Sequence, residues 1–336
     1  MLANFSTNRF AQIAYILIVM LGLVACRSGL PDGCPPDCMG AILFNRSLSI
    51  YDFQNANLRN ATLSQADFRG GNLLSADLSG ADLSGADLSG ADLRDAKFIG
   101  SNLRGANLTG TLMAGADMSG ANLSEAVLIG VDLREVKLTA AVLNETNLIG
   151  CNLRGADLRG IILSGADLRG ADFSWAYMKG SNLAAISDTS PSANLRGANL
   201  TGAILVGANL NGVNLDGAIL MDANLEGADL ANVQLRGAIF SGIYLRDANL
   251  DESILDGADL RRASLRGVTL MNASLKGADL QSTDLRDVQL TRTTVTEEAE
   301  LSSVELVADL TGAKVDSNTR WTGEFELPDT VLFVGQ

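Results

Sequence analysis

From Leu43 to Leu183, and again from Leu195 to Leu290, a large apolar residue returns at every fifth position. The two runs hold 49 such central positions, of which 41 are leucine and the others are Phe53, Phe68, Phe98, Phe173, Phe240, Met113, Met118 and Met178. None is polar. Two residues before most of them stands a small residue, usually alanine as at Ala76, Ala81 and Ala86, sometimes valine, threonine or serine. Between them comes Asp or Asn in many blocks, and glycine commonly ends the block, as in the run SADLSGADLSGADLSGADL from Ser75 to Leu93.

A period of five excludes both ordinary elements. Five residues of α-helix turn about 500°, a net of about 140°, so the leucines scatter around the helix without forming a stripe. On a flat strand side chains alternate with period two, so an odd step sends successive leucines to opposite faces. The pattern is consistent only if the backbone turns a corner once per block, returning each central residue and the small residue before it to the interior. Glycine and Asn/Asp suit those corners because they accept turn conformations that other residues avoid. One block gains about 1.5–3 kcal/mol from burying its leucine, while ordering five residues of backbone costs roughly 5–10 kcal/mol. A lone block therefore cannot fold, and stacked coils must share a core, as in a solenoid.

The blocks ADLSG at Ala81–Gly85 and ANLTG at Ala106–Gly110 match small, Asp/Asn, Leu/Phe, Ser/Thr/Arg, Gly, and in this the chain resembles the pentapeptide-repeat family over about residues 41–292. The resemblance implies an all-β solenoid, a right-handed quadrilateral parallel β-helix in which four blocks make one square coil. On that geometry there are about 12 coils, and a strand spacing of about 4.8 Å gives a rod on the order of 55–60 Å long. Blocks this short predict bridges and turns in place of long strands. Residues Met39–Phe53 depart from the consensus and begin the rod. The step from Leu183 to Leu195 is two positions longer than two blocks, which predicts a protruding loop at 184–192 containing Asp188, Thr189, Ser190 and Pro191. Beyond Leu290 the pattern decays, a short helix is expected to start near Glu297–Leu301 with Thr296 as its cap, and Ala308–Val315 recovers the register. Residues 293–336, with Trp321, are expected to cover the open end of the last coil as a small C-terminal cap.

Composition now falls into place: 47% hydrophobic but 5% aromatic residues, with 35 glycines and 5 prolines, describe narrow inner columns and many corners. Histidine is absent, which removes the commonest general acid/base and zinc ligand. With no nucleophile–base spacing and no phosphate loop, the chain is expected not to be an enzyme and to carry no cofactor and no metal. The net charge of −14 disfavours direct nucleic-acid binding, which needs clustered Lys and Arg.

Residues 1–25 read as a signal peptide, with Arg9 near the start, an apolar run from Ala11 to Ala25, and the sequence Leu23-Val24-Ala25-Cys26, which resembles a bacterial lipobox. That resemblance implies cleavage before Cys26 and lipidation of Cys26. An ordinary cleaved signal peptide and an uncleaved anchor from about Phe10 to Cys26 are the alternatives. All three export the rest of the chain, so the expected address is a bacterial membrane, extracytoplasmic, on the periplasmic or lumenal side. Residues 26–40 read as a Cys-Pro linker in which Cys34 and Cys38 form a disulfide or remain free thiols. Cys151, with Thr146 and Ala156 on either side at the repeat spacing, reads as a small buried hydrophobe.

Three surface features bear on function. Asp77, Asp82, Asp87 and Asp92 fall on the four sides of one coil, where they cannot converge on a cation. Arg246, Arg266 and Arg286 are spaced by four blocks and stack as a basic ladder, diluted by Asp247 and Asp287. Ile162, Ile204, Ile219, Ile239 and Ile254 replace the usual Asp/Asn, and Ile219 and Ile239 stack as an apolar strip. The preferred function is a membrane-anchored rod serving as a non-catalytic binding or scaffold module for an unknown protein partner. The alternative, implied by the family resemblance, is a DNA mimic that binds and protects a type II topoisomerase, to which the acidic charge is suited and export is opposed.

Overall fold

The computed structural model describes residues 30–187, 190–289, 291–292, 305–306, 310, 313–316, 319–320 and 331–333. The signal peptide and Cys26 lie outside the described residues, as do Asp188, Thr189, the helix expected at Glu297–Leu301 and Trp321.

The coil repeats every four blocks. Isolated parallel bridges run in four rows, beginning Asp37–Asn57–Asp77 on a first face, Ile42–Thr62–Asp82 on a second, Ser47–Asp67–Asp87 on a third and Asp52–Asn72–Asp92 on a fourth. The central residues and the small residues two before them point inward and form one continuous buried core.

One block shows how the consensus satisfies its backbone. The Asp77 N–H donates to Ala56 O at 2.9 Å, the Leu78 N–H to Lys97 O at 2.7 Å, and the Gly80 N–H to Ile99 O at 2.9 Å, joining the block to both neighbouring coils. The corner closes through the Ala81 N–H on Leu78 O at 3.0 Å, and Gly80 takes φ +69°, the positive value a type II turn needs at its third residue. The remaining donor, the Ser79 N–H, is taken by Asp77 Oδ1 at 3.0 Å. All five N–H groups of the block are thus bonded, as a buried ladder requires. Asp and Asn before the central residue therefore recur as acceptors for the corner, while the turn conformation expected of Asn and Asp is taken where they replace the corner glycine, as at Asn55, Asn60, Asp95 and Asp247.

The rod begins one block earlier than the leucine pattern indicates. Asp37 bridges Asn57, and Cys38 occupies the first central position, buried. Cys38 is disulfide-bonded to Cys34, and Leu30 and Cys34 pack against the core, so residues 30–40 are the folded start of the rod and not a linker.

The interruption near residue 184 also differs from expectation. Asp167 bridges Asn194 and Asp172 bridges Asn199, each partner lying seven places beyond the one that four blocks would reach. All seven inserted residues therefore belong to a single corner, closed at its base by the Ala193 N–H on Leu183 O at 2.8 Å. Two described residues of the insertion are bonded to the rod, the Ile186 N–H donating to Ser164 Oγ at 3.2 Å and Ser192 Oγ donating to Asn211 O at 3.1 Å.

Among the described residues the ladder opens at one place, where no bridge joins Leu112 to Asp132 or Lys137 to Asp157. Val131 and Val136 occupy successive small positions of that coil. A cleft lined by Arg94, Leu112, Met113, Asp132 and Arg134 lies beside this gap. Cys151 is buried in the same column as Val131 with its S–H directed at Leu128 O, 2.9 Å away, and burial pushes its thiol up to about 11.

Beyond the repeats, β1 (Thr291–Arg292) pairs antiparallel with β2 (Glu305–Leu306). Next come β3 (Lys314–Val315) and β4 (Leu332–Phe333), paired in parallel. Leu310, Ala313 and Val315 are buried, and Lys314 bridges Asp279. Leu332 in turn donates its N–H to Ala313 O at 2.8 Å.

Candidate functional site

The outer surface is a set of side-chain ladders. On several faces an Asn amide donates to the carboxylate one coil below, as Asn57 to Asp37 at 3.0 Å, Asn72 to Asp52 at 2.9 Å and Asn249 to Asp229 at 3.0 Å. On the first face Asp77, Lys97, Asp117 and Lys137 follow one another in alternating charge. Among the described residues aspartate is bridged to aspartate only at Asp67–Asp87 and Asp259–Asp279. There an arginine bridges the pair: Arg69 lies 2.9 Å from Asp67 and 3.9 Å from Asp87, and Arg261 lies 2.6 Å from Asp259 and 4.0 Å from Asp279.

The arginine just beyond the central residue forks onto the aspartate just before it, as Arg94 on Asp92, Arg159 on Asp157 and Arg169 on Asp167, each at 2.6 Å. Hydrogen bonds from these guanidinium groups hold the carboxyls of Asp67, Asp92, Asp132, Asp157, Asp167, Asp259 and Asp284 below their ordinary value. Depressed folded-state values mean that the unfolded chain takes up protons first as pH falls. The stability these groups give is therefore complete above the unfolded value of 3.8 and is lost as pH drops through the lower folded values. The melting temperature should stay level from about pH 7 to about pH 5 and decline below about pH 4. The pairs are exposed and individually weak, so a decline already under way at pH 6 would assign the transition to other groups.

The expected site residues are placed as follows. Arg246, Arg266 and Arg286 do stack, since the Asp247 N–H donates to Arg266 O and the Gly267 N–H to Arg286 O. Each meets a carboxylate: Arg246 lies 3.4 Å from Asp247, Arg266 2.9 Å from Asp287 and Arg286 2.6 Å from Asp284. The column is a neutralised, mixed-charge strip. Ile219 and Ile239 are bridged to each other on the fourth face, whereas Ile162 and Ile254 stand apart on the second and third.

A cluster that the sequence did not reveal adjoins Ile219 and Ile239. On the first face Tyr177, Ile204, Asn224 and Tyr244 are bridged in succession, and on the fourth Asn199 leads to Ile219 and Ile239. The corner between these faces carries Trp175 and, two coils on, Met221. Trp175, Tyr177, Met221, Ile239 and Tyr244 are all exposed. The Trp175 indole lies over the Gly202 corner, where no side chain fits beneath it. Together these side chains make one apolar and aromatic edge where two faces of the rod meet. Trp, Tyr and Met are the residues enriched at protein–protein contacts.

A family model for pentapeptide repeats matches in eight copies, which together span residues 52–183 and 193–292 and leave out the inserted corner. No relative among the curated proteins matches. Solved structures do. One is HetL, a pentapeptide repeat protein involved in heterocyst differentiation regulation from the cyanobacterium Nostoc sp. strain PCC 7120, 30% identical over 75% of this chain and 93% of that one, with a TM-score of 0.28. QnrB1, a plasmid-mediated fluoroquinolone resistance protein, is 22% identical over 57% of this chain and 89% of its own, with a TM-score of 0.41. A pentapeptide repeat protein of the Arabidopsis thaliana thylakoid lumen is 28% identical over 43% and 72%, with a TM-score of 0.17.

Proposed function

The chain belongs to the pentapeptide-repeat family, and from that premise we propose that it is an exported, membrane-anchored rod that binds a protein partner without catalysing a reaction. The observation that carries the binding role is the apolar and aromatic edge of Trp175, Tyr177, Met221, Ile239 and Tyr244. On this reading about 12 coils present the edge at a fixed height above the membrane, and residues 293–336 form the C-terminal cap.

Export is supported by the N-terminal sequence and by the Cys34–Cys38 disulfide, a bond that persists in oxidising compartments. A lipid on Cys26 would supply acyl chains at about 0.8 kcal/mol per buried methylene. Radiolabelled palmitate fed to the expressing bacterium should enter the wild-type protein and be absent from Cys26→Ala. Equal labelling of both, or of neither, removes the lipid anchor from the proposal.

The second reading, a duplex-DNA mimic acting on a type II topoisomerase, draws on the net charge of −14. It needs continuous rows of open carboxylates, and the Asp–Arg forks at Asp67, Asp92, Asp157, Asp167 and Asp259 interrupt such rows. The binding rod is the better supported of the two.

A further inference from the structure

Among the described residues, the three most exposed large apolar side chains are Ile50 at 82%, Ile42 at 62% and Met39 at 60%, and all belong to the first coil. Phe44, between them, is exposed as well. Folding does not require them, because Leu43 and Leu48 already fill the core positions of this stretch. Met39, Phe44 and Ile50 occupy corner places that carry glycine or polar residues in most of the rod, and Ile42 stands on an outer face in a place usually held by Asp or Asn. They lie around several sides of one end of the molecule. From Met39 to Tyr51 the chain holds no carboxylate and a single basic residue, Arg46, although the whole protein has 39 acidic residues.

The position of this collar in the chain says what it faces. Residues 30–37 fold against the end of the core, with Leu30 packed on it and Cys34 bonded to Cys38. Only Arg27, Ser28 and Gly29 separate Cys26 from Leu30. Even fully extended, that link spans about 14 Å. An anchor ending at Cys26 therefore holds the collar at the bilayer surface, where exposed apolar side chains are favoured.

We propose that the first coil, Met39 to Ile50, sits in the headgroup layer of the membrane, with Met39, Ile42, Phe44 and Ile50 inserted, so that the anchored end is docked and the rod is held in one orientation. This rests on the membrane-anchored reading above. The test uses the full chain reconstituted into phosphatidylethanolamine/phosphatidylglycerol vesicles containing a diazirine-bearing phosphatidylcholine, irradiated and mapped by peptide mass spectrometry. Lipid adducts are expected on residues 39–50 in addition to the anchor. Ile42→Gln/Ile50→Gln should reduce the adducts on that stretch by about fivefold while vesicle flotation is unchanged. Both positions are on the surface, and an unaltered melting curve checks that the variant folds. Adducts confined to the anchor in a protein that floats overturn the docking and leave the anchor standing. Failure to float overturns both. Protein–protein cross-links at residues 39–50 in place of lipid adducts show a second copy as the occupant and overturn the proposal.

Discussion

Leu153→Lys is expected to abolish the cooperative unfolding transition of the rod, read as the loss of a sigmoidal far-UV circular dichroism melt. Leu153 is buried at a central position of the fourth face, and its N–H is bonded to Asp172 O at 2.7 Å. The substitution removes about 1.5–3 kcal/mol of apolar burial. It also places an ammonium group in a column of leucine and phenylalanine with no carboxylate inside, a penalty of several kcal/mol. The sum takes up most of the roughly 5–15 kcal/mol that hold a domain together. Position matters too: in a one-dimensional stack each coil is supported only by its neighbours, so a fault at mid-rod separates two halves that must each expose an edge. Leu153→Met, in contrast, is expected to cost under about 1.5 kcal/mol, because methionine already fills the equivalent places at Met113, Met118 and Met178. If the lysine variant melts like the wild type, the central column is not the core.

The interior was legible in the sequence because every inward position obeys the same constraint. A column that repeats every four blocks has room for one class of side chain, so leucine recurs at Leu78, Leu83, Leu88 and Leu93 with alanine two places before. The readings that failed lie where two different residue sets meet the same need. Cys38 supports the first coil through a disulfide and so escapes a search for large apolar residues. The step from Leu183 to Leu195 fits two blocks and two residues as well as one block and seven, and only the bridge from Asp167 to Asn194 selects the second. That choice decides which residues share a face. With seven inserted residues Tyr177 and Tyr244 belong to one row; with two they fall in different rows, and the aromatic edge disappears from view. The gap beside Val131 and Val136 was not legible either, since valine at the same kind of position, at Val213 and Val233, leaves the ladder intact.

The edge gives the largest functional prediction. The triple variant Trp175→Ala/Tyr177→Ala/Tyr244→Ala should lower the yield of partner cross-linked to the rod in intact cells by more than about 30-fold. A single contact-centre aromatic contributes about 2 kcal/mol or more to such an interface, and 2 kcal/mol is already about 30-fold in affinity. Tyr177 and Tyr244 are three coils apart, about 14 Å along the rod, which places them within one contact of ordinary size. Because all three side chains are exposed, the melting curve should be unchanged, separating loss of binding from loss of fold. The arginine column supplies the contrast. Arg246→Ala/Arg266→Ala removes two cations already paired with Asp247 and Asp287. Rim charges of that kind act mainly on association rate and its salt dependence, so the cross-linked yield should stay within about threefold of wild type. If the arginine variant loses the partner and the aromatic variant keeps it, recognition is electrostatic, and the binding face is the column of Arg246, Arg266 and Arg286.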